Sequence, residues 1–170
     1  LKKNISFSVI RYGNVMGSRG SVLPIFLNQK KSGTVTLTHK DMTRFNILME
    51  DCIIMVIWSL KNAHGGEIFV PKIPSFRIKD LAKVITPECK VKYIGIRSGE
   101  KIHEEMITAN ESQDIFDIGQ YYVLLPSKDF AQRKKYSKFE RIKYGFSYSS
   151  DKNKDFLNLT DLRKLFKKYM

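Results

Sequence analysis

The sequence predicts an α/β fold, in which strands and helices alternate along the chain around a mainly parallel sheet. Runs rich in β-branched and aromatic residues alternate with apolar segments of helical length, an order typical of this fold class. Hydrophobic residues make up 42% of the 170 residues and aromatic residues 12%, which is enough apolar material for a packed core. We therefore expect a folded domain rather than a disordered chain.

Five β-branched or aromatic runs that end near glycine, proline or charged residues predict strands. They cover residues 5–13, 34–39, 66–71, 90–97 and 120–126. We expect the first and the third to be buried, whereas residues 41–45 (DMTRF) are expected to form a loop.

Apolar periodicity and capping residues predict five helices. They cover residues 22–33, 46–63, 76–86, 99–108 and 158–170. Pro24 can be accommodated in the first turn of the first helix, and Gly33 ends it. Ser75 is the predicted N-cap of the third helix, and Thr160 that of the last.

The net charge of +13 first suggests an anionic partner, but its distribution along the chain is uneven. Residues 128–170 hold 13 Lys and Arg against 5 Asp and Glu. The lysines are spread over loops and helix faces instead of lying with aromatic residues in one groove. We therefore expect no nucleic-acid partner, and an anionic small molecule or a partner surface remains open.

Several classes of protein are not indicated by the sequence. The longest apolar run, from Cys52 to Leu60, is half the length of about 20 residues that a membrane span needs. The N-terminal residues do not read as a signal peptide. Cys52 and Cys89 have neither metal-binding spacing nor a disulfide framework, which suits a reducing, cytoplasmic compartment. We predict no metal site.

Two patterns in the chain imitate those of dinucleotide-binding enzymes. Gly13, Gly17 and Gly20 follow a predicted strand, but their spacing is not the G-x-G-x-x-G that binds a pyrophosphate. Tyr148 and Lys152 match Y-x-x-x-K, yet they lie in a glycine- and serine-rich turn, where no rigid helix holds them one turn apart. We therefore predict neither a pyrophosphate-binding loop nor a catalytic tyrosine–lysine pair at these positions.

Four motifs, taken together, resemble one family. They are RYGNVMGSRGSVLPIF, DMTRFNI, GGEIFVPKIPSFRIKDLA and IGIRSGEKIHEEMI. The combination resembles the C-terminal half of the polysaccharide-biosynthesis (CapD-like) branch of extended short-chain dehydrogenases/reductases. Within that branch, it is most similar to the inverting UDP-N-acetylglucosamine 4,6-dehydratases of pseudaminic acid synthesis. The likeness covers residues 5–126, and residues 146–158 resemble the tail of these enzymes.

The resemblance implies a division of the chain. Residues 1–126 would hold the last strands of an NAD(P)-binding Rossmann-like sheet and the lobe that binds the sugar nucleotide. Residues 127–170 would form a basic tail with a terminal amphipathic helix. In this family the glycine fingerprint and the catalytic Tyr/Lys pair belong to the N-terminal half, so we expect the chain to be a fragment without turnover of its own.

The resemblance also implies which residues bind NADP and a UDP-sugar. Tyr12, Gly13, Asn14 and Val15 would pass beside the nicotinamide, although the missing half would supply most of the NADP site. The substrate-binding residues would be Ser18, Arg19, Ser21, Pro24, Phe26, Arg44, Arg97 and Glu100. The two arginines would bind the diphosphate and Glu100 the ribose hydroxyls. His103 is expected to be a partly buried helix residue without a role.

The reaction implied by the family is a 4,6-dehydration that inverts C5 and gives a UDP-4-keto-6-deoxy-hexose. NADP supplies the redox chemistry and is regenerated in each turnover. The intact enzyme is expected to be a homo-oligomer, or to pair with a separate Rossmann half. Two alternatives remain open: a non-catalytic module that binds sugar nucleotides, and another UDP-sugar epimerase or dehydratase of the same family.

Overall fold

The computed structural model describes residues 5–125 and 130–167. In that part of the chain the strands are β1 (Val9–Ile10), β2 (Asn14–Val15), β3 (Thr34–Leu37), β4 (Thr43–Ile47), β5 (Ile68–Pro71), β6 (Ser75–Arg77), β7 (Lys90–Tyr93), β8 (Glu105–Ile107), β9 (Ile115–Asp117), β10 (Tyr121–Leu124), β11 (Glu140–Arg141) and β12 (Tyr148–Ser149). The α-helices are α1 (Val22–Lys30), α2 (Met49–Asn62), α3 (Ile78–Ile85), α4 (Phe130–Tyr136) and α5 (Leu159–Phe166), and Ala109–Asp114 form a 3₁₀ helix.

The chain forms two compact units, each assembled from three separate segments. The first, which we call the sheet unit, comprises Leu1–Tyr12, Met49–Lys72 and Glu105–Ser149. The second, which we call the cavity unit, comprises Gly13–Leu48, Ile73–Glu104 and Ser150–Met170. The boundary predicted between residues 126 and 127 adjoins residues 126–129, which lie outside the described part of the chain, and it stays a prediction.

The sheet unit contains a five-stranded sheet in the order β1-β5-β10-β9-β11. β1 pairs with β5 in parallel, whereas the other neighbours pair antiparallel. Its core contains Phe69, Val123 and Met55 of helix α2, and Trp58 lies 4.6 Å from Tyr121 between ring centroids. The expected α/β class is confirmed, but the sheets are mixed rather than mainly parallel.

The first predicted strand is much shorter and more exposed than expected. Of residues 5–13, Val9–Ile10 form the strand β1. β1 lies at the edge of the sheet, and Phe7 and Val9 are 77% and 53% exposed. The prediction of a buried strand is therefore wrong, because β5 covers one side of β1 and no described strand pairs with the other. The buried strand predicted at residues 66–71 is confirmed by β5.

The cavity unit contains two small sheets surrounded by helices. β4 pairs in parallel with β2 and antiparallel with β6, and β3 pairs in parallel with β7. A core of Phe26, Val35, Phe76, Leu81 and Phe166 joins helices α1, α3 and α5 to these strands. The helix predicted at residues 22–33 is confirmed by α1, which holds Pro24 in its first turn.

Three predicted elements are wrong because pairing between distant segments overrides the local pattern. Residues 43–45 of the predicted loop belong to β4, which is bordered by β2 and β6. Ser75 lies on β6 instead of capping a helix, and its backbone N–H and C=O bond to Asp155 and Leu157. The helix predicted at residues 99–108 is absent, and within it β8 pairs with β12.

The tail contains two helices that are tied to the rest of their units. In the sheet unit, Arg133 of α4 and Arg141 of β11 both bind the buried carboxylate of Asp114. In the cavity unit, Leu162 and Phe166 of α5 are buried in the core. Asn158 caps α5, since its Oδ1 accepts hydrogen bonds from Thr160 N (2.8 Å) and Asp161 N (3.1 Å). The terminal helix is confirmed, but the predicted cap at Thr160 is wrong by two residues.

No helix in the described part of the chain is long and apolar enough to cross a membrane.

Candidate functional site

The cavity unit encloses a cavity of about 290 Å³ whose wall combines apolar and charged side chains. Its volume lies near the lower end of the range of small-molecule sites, about 300–1,000 Å³. The apolar part of the wall is formed by Val15, Met16, Val22, Ile25, Phe26, Leu37, Met42, Phe76, Ile78 and Ile94. The polar part is formed by Asn14, Ser21, Gln29, Thr36, Thr38, Arg44, Arg97 and Glu100.

A tight turn places Arg97 and Glu100 side by side at the cavity. Glu100 N donates to Arg97 O at 3.0 Å, and Arg97 N donates to Glu100 Oε2 at 3.2 Å. Gly99 has a φ of 77°, a left-handed conformation that favours glycine. Thr38 Oγ1 donates to Glu100 Oε1 at 3.3 Å and fixes the carboxylate from the β3 side. The turn therefore holds Glu100 rigidly beside an arginine.

The Arg97 guanidinium is exposed and has no hydrogen-bond or ion-pair partner among the described residues. A guanidinium presents five N–H donors in a planar fork that matches a phosphate or a carboxylate. Arg97 is thus available to an anionic ligand in the cavity.

Arg44 differs from Arg97, because the protein's own carbonyl groups already bind it. Nη1 donates to Thr43 O (2.7 Å) and Ile102 O (3.0 Å), and Nη2 donates to Lys101 O (2.8 Å). Nε lies 3.4 Å from Glu104 Oε1, and the side chain is 12% exposed. Burial lowers the pKa of the Arg44 guanidinium, while the carboxylates of Glu104 and Glu100 act in the opposite direction. Three of its five N–H groups are therefore bound by backbone carbonyls, and Nε faces the carboxylate of Glu104.

A side-chain amide links helix α1 to strand β3 at the cavity wall. Gln29 Nε2 donates to Thr36 Oγ1 at 2.8 Å, and Thr36 N donates to Gln29 Oε1 at 3.1 Å. The amide thereby takes up a backbone N–H of β3. The contact holds α1 against β3, and both residues line the cavity.

The structure brings together seven of the residues that the sequence analysis assigned to binding. Asn14, Val15, Ser21, Phe26, Arg44, Arg97 and Glu100 all line the cavity. Ser18, Arg19 and Pro24 do not line it, and the side chains of Arg19 and Pro24 are exposed. Tyr12 belongs to the sheet unit and is 42% exposed.

Gly13 and Asn14 lie in the segment that the family resemblance places beside a nicotinamide ring. A Cβ added at Gly13 would lie 2.5 Å from the Cβ of Phe45, so glycine is required here by the protein's own packing. Asn14 and Val15 do line the cavity, and the exposed Asn14 presents a side-chain amide. Of these residues, Asn14 and Val15 line the cavity, whereas packing against Phe45 accounts for the glycine at position 13.

The Y-x-x-x-K pattern at residues 148–152 has no helical geometry. Tyr148 is buried on strand β12, whereas Lys152 is exposed in a turn. A tyrosine–lysine pair one turn apart on a helix is needed for the lysine to act on the tyrosine proton. The expectation that this pattern is coincidental is consistent with these positions.

Sequence reasoning missed three polar residues of the cavity wall. Gln29, Thr36 and Thr38 line the cavity and contact one another or Glu100. In the sequence TVTLT, every second residue is a threonine, so Thr34, Thr36 and Thr38 lie on one face of the strand. This alternation is the sequence pattern that could have indicated the two threonines of the wall. Gln29 follows Phe26 by three residues on α1, so both lie on the same helix face.

Comparisons with known proteins agree with the motifs. Residues 1–126 match the profile of a family described as polysaccharide biosynthesis protein. The chain is 44% identical over 160 residues to the UDP-N-acetylglucosamine 4,6-dehydratase (inverting) of Campylobacter jejuni, covering 89% of this chain and 48% of that protein. It is 37% identical over 166 residues to the UDP-glucose 4-epimerase of Rickettsia bellii, covering 94% of this chain and 48% of that protein.

A solved structure has the same fold as this chain. The X-ray structure of Pen from Bacillus thuringiensis superposes with a TM-score of 0.84 at 33% identity, covering 96% of this chain and 50% of that chain. The chain thus spans about half the length of the relatives that it matches. The family predicted from the four motifs is confirmed, and the chain belongs to the polysaccharide biosynthesis protein family of extended short-chain dehydrogenases/reductases.

Proposed function

We propose that this chain supplies the sugar-nucleotide-binding part of a UDP-N-acetylglucosamine 4,6-dehydratase that inverts C5. The observation that carries the proposal is the Arg97–Glu100 turn at the cavity. It presents a fixed carboxylate and a guanidinium that has no partner among the described residues. The 44% identity of the chain to the inverting dehydratase of Campylobacter jejuni supports the choice of reaction.

Two parts of a UDP-sugar, the diphosphate and the ribose, have complementary groups in the cavity. Arg97 binds the diphosphate through charge-assisted hydrogen bonds, in the bidentate geometry that lysine cannot reproduce. Glu100 accepts hydrogen bonds from the ribose hydroxyls, since Thr38 and Arg97 N already hold its carboxylate in place. Arg44 adds positive charge at the wall, although the protein's own carbonyls and Glu104 bind most of its guanidinium. The apolar residues of the wall exclude water from the rest of the ligand.

The cofactor proposed for the whole enzyme is NADP. NADP would supply the hydride-transfer chemistry at C4 and C6 of the sugar. In this chain Asn14 and Val15 would lie beside the nicotinamide, and the Asn14 amide can donate to or accept from cofactor or substrate. The product is a UDP-4-keto-6-deoxy-hexose, which places the enzyme among the lyases of nucleotide-sugar synthesis, with pseudaminic acid synthesis as the proposed pathway.

Titration of the purified chain with UDP tests the proposed site. We expect wild type to bind UDP and Arg97→Ala to bind it about 10- to 100-fold more weakly, because charge-assisted hydrogen bonds to the diphosphate are lost. Arg97→Lys is expected to recover part of the affinity, since it restores charge but not the planar fork. Isothermal titration calorimetry measures all three dissociation constants.

Arg163→Ala provides a matched control for this titration. Arg163 is an exposed arginine on helix α5 of the same unit and does not line the cavity, so its removal changes the net charge equally. The proposal predicts unchanged UDP affinity for this variant. Equal weakening by Arg97→Ala and Arg163→Ala would show that UDP responds to net charge and would contradict the site.

A second candidate is a non-catalytic sugar-nucleotide-binding module that assembles with a separate Rossmann half. The exposed apolar side chains of Phe7 and Val9 beside the edge strand β1 favour it, because such an edge can accept a further strand. Homo-oligomerisation, a cytoplasmic location and the absence of a nucleic-acid partner stay predictions. Another UDP-sugar reaction is also compatible with the 37% identity to the Rickettsia bellii epimerase.

A further inference from the structure

The four residues that follow the Arg97–Glu100 turn are fastened to strand β4. Ile102 O accepts hydrogen bonds from Thr43 N at 3.1 Å and from Arg44 Nη1 at 3.0 Å. Arg44 also binds Lys101 O at 2.8 Å. These contacts fix the backbone immediately after Glu100, so the position of the turn depends on how firmly residues 101–104 are held.

A chain of side-chain hydrogen bonds continues this fastening into the protein interior. Glu104 N donates to Ser150 Oγ at 2.9 Å, Ser150 Oγ lies 2.7 Å from Thr43 Oγ1, and Thr43 Oγ1 lies 2.8 Å from His103 Nδ1. Ser150 is fully buried and Thr43 is 4% exposed. Ser150 N also donates to Glu104 O at 2.8 Å. The chain therefore joins three separate segments of the cavity unit.

One direction of donation satisfies every hydroxyl group of the chain. Among the described residues, the Ser150 hydroxyl has Thr43 Oγ1 as its acceptor, since Glu104 N is a donor. Ser150 therefore donates to Thr43, and Thr43 donates to His103. In the reverse direction the buried Ser150 O–H would have no acceptor, which is costly in the interior. In this direction His103 Nδ1 accepts from Thr43, which corresponds to the tautomer with its ring hydrogen on Nε2.

We propose that His103 is a positioning residue, which fixes the Arg97–Glu100 turn at the cavity by ending this hydrogen-bond chain. It contacts no ligand itself. Its acceptor nitrogen orients Thr43 and, through Thr43 and Ser150, the backbone of Glu104. The inference rests on the proposed function, because the turn affects binding only if the cavity takes a nucleotide diphosphate.

Three variants of His103 separate the acceptor from the bulk of the ring. His103→Leu removes the acceptor, and His103→Gln moves it one bond further along the side chain. His103→Asn retains an acceptor at the position of Nδ1, because both atoms are bonded to Cγ. We expect UDP to bind about fivefold more weakly to the Leu and Gln variants, the value of one hydrogen bond, and as in wild type to the Asn variant.

Amide hydrogen exchange at Glu104 gives a readout that does not depend on UDP. The Glu104 N–H is bonded to Ser150 Oγ, so its exchange should be faster in His103→Leu and His103→Gln and slow again in His103→Asn. His64→Leu, which changes an exposed histidine of the sheet unit, is expected to leave both UDP affinity and Glu104 exchange as in wild type. If the Leu variant does not fold, the comparison of the Gln and Asn variants in UDP affinity and Glu104 exchange tests the role of His103.

Two results would overturn the positioning role. Either all three variants bind and exchange like wild type, or the Asn variant is impaired as much as the Gln variant. A failure of the proposed function gives a different result. Wild type would then not bind UDP, whereas the Glu104 exchange pattern, with its rescue by Asn, would still support the hydrogen-bond chain.

Discussion

Arg11 and Glu111 form a two-point ion pair that joins the first segment of the sheet unit to its third. Arg11 Nη2 lies 2.9 Å from Glu111 Oε1, and Arg11 Nη1 also donates to Met106 O at 2.7 Å. The Arg11 hydrogen bonds, together with those from Thr108, lower the pKa of the Glu111 carboxyl to about 2, against a smaller opposing effect of burial. The Glu111 carboxylate thus stabilises the folded state.

The depressed pKa predicts how stability changes with pH. The contribution of Glu111 is present above the pKa of an unfolded glutamate, about 4.3, and is lost as pH falls towards 2. We expect Glu111→Gln to lower the free energy of unfolding by about 1 kcal/mol at pH 7, since the pair is partly exposed. The two curves should converge as pH approaches 2 in urea denaturation. Glu105→Gln, an exposed carboxylate of the same unit, controls for charge; a constant offset at all pH values would contradict the mechanism.

Gly13 was predicted to bind the cofactor, but packing explains why this residue is a glycine. Any Cβ at this position would lie 2.5 Å from the Cβ of Phe45 and 3.4 Å from Ile73 Cδ1. We expect Gly13→Ala to lower the free energy of unfolding by about 1–3 kcal/mol through overpacking, measured by urea denaturation of the chain without any cofactor. A change below about 0.5 kcal/mol would show that Phe45 can move aside and that packing does not require glycine here.

At the scale of elements, the cap of helix α5 can be distinguished from its predicted alternative. Asn158 Oδ1 accepts from two backbone N–H groups of the first turn, and Asp161 Oδ2 accepts from Asn158 N at 3.0 Å. We expect Asn158→Ala to lower the free energy of unfolding by about 1 kcal/mol. Thr160→Ala, at the residue that the sequence suggested, should change it by a few tenths. Chemical denaturation of both variants checks the assignment, which fails if Thr160→Ala is the more costly.

The elements that the sequence predicted are those stabilised by their own residues. The runs that form β3, β5 and β10 are rich in β-branched and aromatic residues, and α1 and α2 are apolar over helical lengths. In contrast, β6 and β8 have three residues each, and segments far away in the chain provide their pairing. No local propensity distinguishes such strands from helix starts, so Ser75 and residues 99–108 were misassigned.

The candidate site was predictable to a similar extent. Arg97 and Glu100 are three residues apart in one motif, so their adjacency could be expected from the sequence. The hydrogen bonds from Arg44 to the carbonyls of residues 101 and 102 could not be expected from the sequence, because they join segments more than fifty residues apart. The role of His103 could not be predicted for the same reason, because Thr43, its hydrogen-bond partner, and Ser150, the next residue of the chain of hydrogen bonds, lie in other segments of the cavity unit.

For the molecule as a whole, we propose that the 170-residue chain has no turnover of its own. Its Tyr148 and Lys152 do not share a helix, so the lysine is not held where it could act on the tyrosine proton. Incubation with UDP-N-acetylglucosamine and NADP should therefore give no signal of a 4-keto product in NMR spectra. The Campylobacter jejuni relative, assayed in parallel, provides the positive control. A 4-keto signal from this chain would contradict the proposal.

The three-segment make-up of each unit has a consequence for dissecting the protein. A stop codon after residue 149 would remove Leu162 and Phe166 from the core that also holds Phe26 and Phe76. A start at residue 49 would remove helix α1 and strand β3 from the same core. Neither unit can thus be obtained as one uninterrupted stretch of the gene. Cloning one unit alone requires its three segments to be joined by new linkers.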